Sequence, residues 1–93
     1  MTDMERRPAR RDGVLAQEAQ GQTVLLRIDD GSYYALDEVG AMIWELADGV
    51  RSMAAIVDAL SAEYDAPRDT LTTDVTEFVE ELLREQLLLL AEH

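Results

Sequence analysis

The chain has no cysteine, no lysine and a single histidine among its 93 residues. Without cysteine neither a disulfide framework nor a thiolate metal site can form, and one histidine, His93 at the C-terminal end, does not make a zinc site, so no metal is expected. No apolar run approaches the ~20 residues that span a bilayer, and residues 1–12 carry no hydrophobic segment of the signal-peptide kind. A cytoplasmic protein is expected. There is no glycine-rich phosphate loop and no nucleophile elbow, and no histidine shares a predicted element with Ser32, Ser52 or Ser61. A chain this short holds one small core and no deep enclosed active site besides, so neither an enzyme nor a cofactor is expected.

What is abundant is negative charge. Asp and Glu number 20 against 8 arginines, a formal net charge of −12. Four of the arginines, Arg6, Arg7, Arg10 and Arg11, crowd into the first twelve residues; from Gly13 onward 4 basic residues face 17 acidic ones, a balance of −13. A body so acidic repels a phosphate backbone, which excludes nucleic acid as the expected partner. Residues 1–12 read as a disordered, solvated arginine-rich tail, with no membrane role, and residues 13–93 as one domain.

Residues 31–49 organise that domain. Tyr33, Tyr34, Ala35 and Leu36 have the aromatic and apolar content of a strand, and Asp37 is then an N-cap whose carboxylate accepts from the first-turn amides of a helix. Val39, Met42, Ile43 and Leu46 fall on one face of that helix, and Asp48-Gly49 stops it. Upstream, residues 14–19 read as a first strand, Gln20-Gly21-Gln22 as a turn and residues 23–28 as a second strand. Asp29-Asp30-Gly31 then reads as a three-residue hairpin loop. Pairing Ile28 with Ser32 puts Val24, Leu26, Ile28, Tyr34 and Leu36 on the buried face and Leu25, Arg27, Tyr33 and Ala35 on the other; a two-residue Asp30-Gly31 turn would instead carry Tyr33 and Ala35 inward.

Downstream, Ser52 caps a second helix whose apolar positions are Met53, Ile56, Val57, Leu60 and Tyr64. Pro67 opens a third and longest helix with the stripe Leu71, Val75, Phe78, Val79 and Leu82. Leu87 to Leu90 either finish that helix or fold back as a small strand. The fold class is therefore α+β, a winged-helix-like arrangement of a three-stranded antiparallel sheet followed by three helices.

The many carboxylates follow the polar sides of amphipathic helices, and a solvated surface accounts for them better than acid–base chemistry does. Trp44 lies about 140° around its helix from Val39, beside small residues. It has two readings, packing against a helix of its own chain or contact with a partner protein. Residues 32–36 also have two: ordinary sheet cover, or an edge strand whose free N–H and C=O groups pair with an incoming extended peptide while the third helix walls the groove. The segment carries neither charge nor proline, the devices that usually blunt such an edge.

The residues Val24-Leu25-Leu26, Gly31-Ser32-Tyr33-Tyr34-Ala35-Leu36, Gly40 with Ile43-Trp44, Asp48-Gly49 with Ile56-Val57 and Leu60, and Asp74-Val75 with Phe78-Val79 and Leu82-Leu83 carry a resemblance that runs from Gly13 to about Leu90. In their order and spacing the chain resembles the PqqD-like recognition elements, which bind leader segments of ribosomally made, post-translationally modified peptides. It looks most like the discrete B1 proteins of lasso-peptide pathways. One departure is Gln86, where relatives often have a glycine that ends the third helix.

The resemblance implies that a precursor's leader is bound as an added strand along the third strand, through Ser32, Tyr33, Tyr34, Ala35 and Leu36, with its apolar side chains held against Val75, Phe78, Val79 and Leu82. It also implies delivery to a separate B2-type leader peptidase and to a macrocycle-forming synthetase. The rival readings are a winged-helix DNA-binding regulator, for which the −13 body is a poor match, and a small acidic protein-interaction subunit.

Overall fold

Local chemistry accounts for most element boundaries in the computed structural model, which describes residues 3–91; His93, set aside above as a metal ligand, lies outside them. After a 3-10 turn at Asp3–Glu5 come strands β1 (Pro8–Arg10), β2 (Val14–Ala19), β3 (Gln22–Arg27) and β4 (Tyr33–Leu36). Helices α1 (Glu38–Leu46), α2 (Met53–Glu63) and α3 (Arg68–Arg84) follow, and β5 (Leu88–Leu90) closes the described chain. The sheet of order β2-β3-β4 is antiparallel, and β4 is the strand read above as the third. The α+β class and the sheet-then-helices order are those expected; a second small sheet, β1-β5, is added to them.

The helix starts are made by the residues that the sequence nominates. Asp37 accepts from the Gly40 amide at 2.7 Å and Ser52 from the Ala55 amide at 3.1 Å, each satisfying a first-turn donor that has no partner inside its helix. Beyond α1, Asp48 accepts from the amides of Val50 and Arg51, both at 2.9 Å, and from the Arg51 guanidinium at 2.6 Å. These bonds, the Arg51 amide first, hold its carboxyl below the ordinary aspartate value of 3.8. At the end of α3, Gln86 donates to the Leu83 carbonyl at 3.2 Å and Leu87 to the Leu82 carbonyl at 2.9 Å. This Schellman pattern sets Gln86 at φ 62, so a non-glycine residue takes up the left-handed conformation that glycine occupies at lower cost. Leu88, Leu89 and Leu90 then fold back as a strand, the second of their two readings.

Three expectations are corrected, the register of β3 on β4 first. The observed register pairs Leu26 with Tyr33, Leu25 with Tyr34, Val24 with Ala35 and Thr23 with Leu36. The loop is therefore four residues, 28–31, closed where Arg27 donates to the Ser32 carbonyl at 2.8 Å and Gly31 to the Arg27 carbonyl at 2.9 Å. One residue of offset turns β3 over. Leu25, fully buried, faces the core with Tyr34 and Leu36, while Val24 and Leu26 share the outer face with Tyr33 and Ala35. Ile28, expected inside, is 60% exposed in the loop.

The stretch read as a disordered tail is an ordered strand over Pro8–Arg10, paired with Leu88–Leu90 and bridged at Ala9 to Asp48. Its arginines are not simply solvated. Arg10 donates to the carbonyls of Trp44 and Glu45, at 2.9 and 2.8 Å, at the end of a helix with no basic residue in its own last turn. A cation there satisfies orphan carbonyls and complements the helix dipole. Main-chain bonds from Gly49 to Pro8, Met53 to Arg6 and Ala91 to Arg7, all 2.8–2.9 Å, complete the seam.

The core lies between the inner face of the sheet and the helices, built on Leu25, Leu36, Ile43, Met53, Ile56, Leu60, Val75, Val79, Leu82 and Leu88. Trp44 belongs to it at 3% exposure, which settles its two readings in favour of the chain's own interior and corrects the assignment of Trp44 to a partner-protein contact. The buried residues at α1 are Gly40, Ile43, Trp44 and, just beyond it, Ala47, one i, i+3, i+4, i+7 face that includes Trp44, while Val39, Met42 and Leu46 of the expected stripe are only part-buried.

Candidate functional site

Strand β4 is an edge. It pairs with β3 on one side, and among the described residues nothing pairs with the other. In an antiparallel ladder hydrogen-bonded pairs alternate with pairs whose backbone groups point away. Since Arg27 bonds to Ser32, the bonded pairs continue at Leu25 with Tyr34 and Thr23 with Leu36. The N–H and C=O groups of Tyr33 and Ala35 therefore point along the sheet into open space. Four donors and acceptors stand ready there.

Side chains on the same strand divide by parity. Tyr34 and Leu36 face the core side, half-buried and buried, while Tyr33, 77% exposed, and Ala35 face outward. Ser32 precedes the strand and is held in the loop: its N–H and Oγ–H both donate to Asp30, at 3.0 and 2.8 Å. The backbone donor first, and then the hydroxyl, keep the Asp30 carboxyl below its usual value.

Opposite the strand runs α3. Of the four helix residues expected to line the groove, Val75, Val79 and Leu82 are fully buried in the core and offer no surface to a ligand, so that expectation is corrected for these three. An apolar stripe on a helix points at the deepest apolar volume available, which here is the protein's own interior. Phe78 alone emerges at the margin. It lines a cavity of about 340 Å³ with Gln22, Tyr34, Ala35, Leu36 and Asp37 along the strand. It also lines a second, of about 360 Å³, with Val39, Gly40, Ile43, Asp37, Asp74, Glu77 and Glu81 between α1 and α3. The Tyr34 hydroxyl donates to the Glu81 carboxylate, tying β4 to α3 at one point.

Sequence reasoning passed over Asp37, Asp74, Glu77 and Glu81 as groove residues, and Gly40 with them. The signal was there in the spacing: residues 74, 77, 78 and 81 form an i, i+3, i+4, i+7 set one step around the helix from the buried stripe. Four carboxylates and no cation line the inner cavity, so its potential is negative. No group of three or more His, Cys, Asp or Glu among the described residues is arranged to hold a metal ion. No described helix is long and apolar enough to cross a membrane.

An open edge strand set beside a helix, with side-chain pockets between them, defines a small α+β domain built to hold an extended segment of chain. Comparison with known proteins then places it: residues 22–88 match the family described as Coenzyme PQQ synthesis protein D (PqqD), and the chain belongs to that family. It is 37% identical over 84 residues to a PqqA binding protein of Xanthomonas axonopodis pv. citri, covering 88% of this chain and 89% of that one. A PqqA binding protein of Rhodopseudomonas palustris is 42% identical over 48 residues, 52% of this chain and 47% of the relative.

Among solved structures, TbiB1 in complex with the TbiA(beta) leader peptide superposes with a TM-score of 0.77 at 35% identity, covering 86% of this chain and 93% of TbiB1. A lasso peptide synthetase B1 complexed with its leader peptide gives a TM-score of 0.80 at 23% identity, over 89% and 98% of the two chains, a likeness of fold.

Proposed function

We propose that the chain binds the leader segment of a ribosomally synthesised precursor, of the lasso-peptide kind, as a strand added to β4, and presents it to a separate leader peptidase and a macrocycle-forming synthetase. The observation that carries this is the free backbone of Tyr33 and Ala35 on an edge whose adjoining cavity is lined by Tyr34, Ala35, Leu36 and Phe78. Main-chain bonds to such an edge contribute roughly 0.5–1.5 kcal/mol each whatever the ligand's sequence. Selectivity therefore rests on the pockets. Alternate residues of an added strand point to the α3 side, where Tyr34, Leu36 and Phe78 offer apolar contact and Asp74, Glu77 and Glu81 offer charge. The PqqA-binding relatives and the leader-bound neighbour of 35% identity support the same reading.

The chain itself carries out no chemistry in this proposal and works in the cytoplasm, where precursors are made. Two or three apolar or aromatic leader residues, by analogy a tyrosine, a proline and a leucine, act as anchors. The carboxylates that line the inner cavity draw basic leader residues toward it, so association slows as salt rises.

The deciding experiment titrates a synthetic, fluorescently labelled leader from the nearest precursor gene against the protein, then repeats it with single leader residues changed to alanine. Losses that recur at every second position are expected. Losses without that period, or no binding at all, would remove the strand-addition reading. Duplex DNA at low salt should produce no shift; a shift would favour the DNA-binding regulator.

A further inference from the structure

The cavity along β4 and the one between α1 and α3 share two residues, Asp37 and Phe78, so the Phe78 side chain borders both. What allows the ring to stand there is on α1. Gly40 is buried in the first turn of that helix, and a Cβ built on it would lie 2.9 Å from Phe78 Cε1 and 3.5 Å from Cζ. The first distance is shorter than real side chains tolerate. Nothing in the backbone asks for glycine at this position, because Gly40 is not among the left-handed residues of the chain, and glycine is a poor helix former. The missing methyl group is what the ring occupies.

We infer that Gly40 is a positioning residue for the groove: by leaving room for the Phe78 ring against α1, it keeps the ring out of the path of a chain lying along β4. This rests on reading that groove as the leader-binding site. A methyl group at position 40 meets the far end of a rotatable side chain, so the ring gives way rather than the fold. Along the strand, the cavity that Phe78 lines is bounded also by Gln22, Tyr34, Ala35, Leu36 and Asp37. A ring displaced toward them fills the pocket that an added strand needs. Gly40→Ala is thus a substitution that suits the helix and spoils the site.

The added Cβ also lies 3.2 Å from Asp37 Oδ1, which caps the same turn, so a second route to lost binding runs through the cap. Three variants separate the routes: Gly40→Ala, Phe78→Leu and the two together. In the free protein, nuclear Overhauser contacts of the residue-78 ring should leave residue 40 and shift to Leu36 and Tyr34 in Gly40→Ala, with the helical circular dichroism unchanged. Leader affinity should fall about 10-fold or more in Gly40→Ala, yet less than about twofold when the same change is made in the Phe78→Leu background, since the coupling partner is gone.

Unmoved ring contacts would overturn the inference, as would an equal loss in both backgrounds, which would assign the effect to the cap. If the unaltered protein binds no leader, the proposed function fails, while the ring contacts of the free protein still test the placement of Phe78 by Gly40 on their own.

Discussion

The three-stranded sheet has two open edges, and they are not alike. At β2 the outermost strand is exposed along nearly its whole length, and its inward positions are Val14, Ala16 and Glu18, two small or charged side chains out of three. The cavity on that side, about 330 Å³, lies against α1 and is lined by Ala16, Gln17, Glu18, Thr23, Ala41, Met42 and Glu45, with no aromatic residue. At β4 the inward positions are Tyr34 and Leu36, and α3 stands opposite with Phe78. Unpaired main chain is common to both edges, so main chain alone does not make a recognition site. A helix stands beside each edge as well, so the proposed function rests on the aromatic and apolar lining of the β4 side, and Glu18 is the kind of charge that keeps the other edge solitary.

This contrast can be broken at its shared centre. Leu25 sits on the middle strand, fully buried, and Leu25→Ala should cost about 2–5 kcal/mol of stability in denaturant titration, taking both edges with it. Sharpening begins with Phe78→Ala. Because the ring is only part-buried, leader binding should weaken by roughly 1–3 kcal/mol while the melting temperature falls modestly. A large loss of stability with unchanged affinity in the folded fraction would reassign Phe78 to the core.

Next, Ala35→Pro removes one outward N–H from β4 without touching the β3 ladder, and should cost about 1 kcal/mol of leader affinity. Ala16→Pro does the same to β2, whose outward positions alternate with the Ile28-to-Gly13 bond, and should leave affinity unchanged in the same titration. Equal effects would erase the distinction between the edges.

The smallest effect is expected away from both. Asp48 is bonded to two amides in the folded chain and its carboxyl is held below 3.8, so the stability it lends is present above that value and lost as pH falls through the lower folded value. Melting temperatures of Asp48→Ala and the parent should therefore differ at pH 7 and converge in acid. A gap that widened on acidification would reverse the assigned sign.

Features made by neighbours in the chain were legible in the sequence alone. The Asp37 and Ser52 caps, the strand at residues 33–36 and the three helices each depend on contacts within a few residues, and sequence carries those contacts directly. The register of β3 on β4 was not legible, because Asp29-Asp30-Gly31 suits loops of two, three or four residues and nothing local chooses among them. Pro8–Arg10 was hidden for a different reason: its partner lies 80 residues away and its three residues have no strand character of their own. On α3 the apolar period identified the helix correctly and its outward wall wrongly, since Val75, Val79 and Leu82 serve the interior and only Phe78 stands at the boundary with the acidic row.

The pairing of Pro8–Arg10 with Leu88–Leu90 holds the first and last strands of the described chain side by side. Trimming the first ten residues as dispensable would strip β5 of its only strand partner among the described residues and open one flank of the buried Leu88.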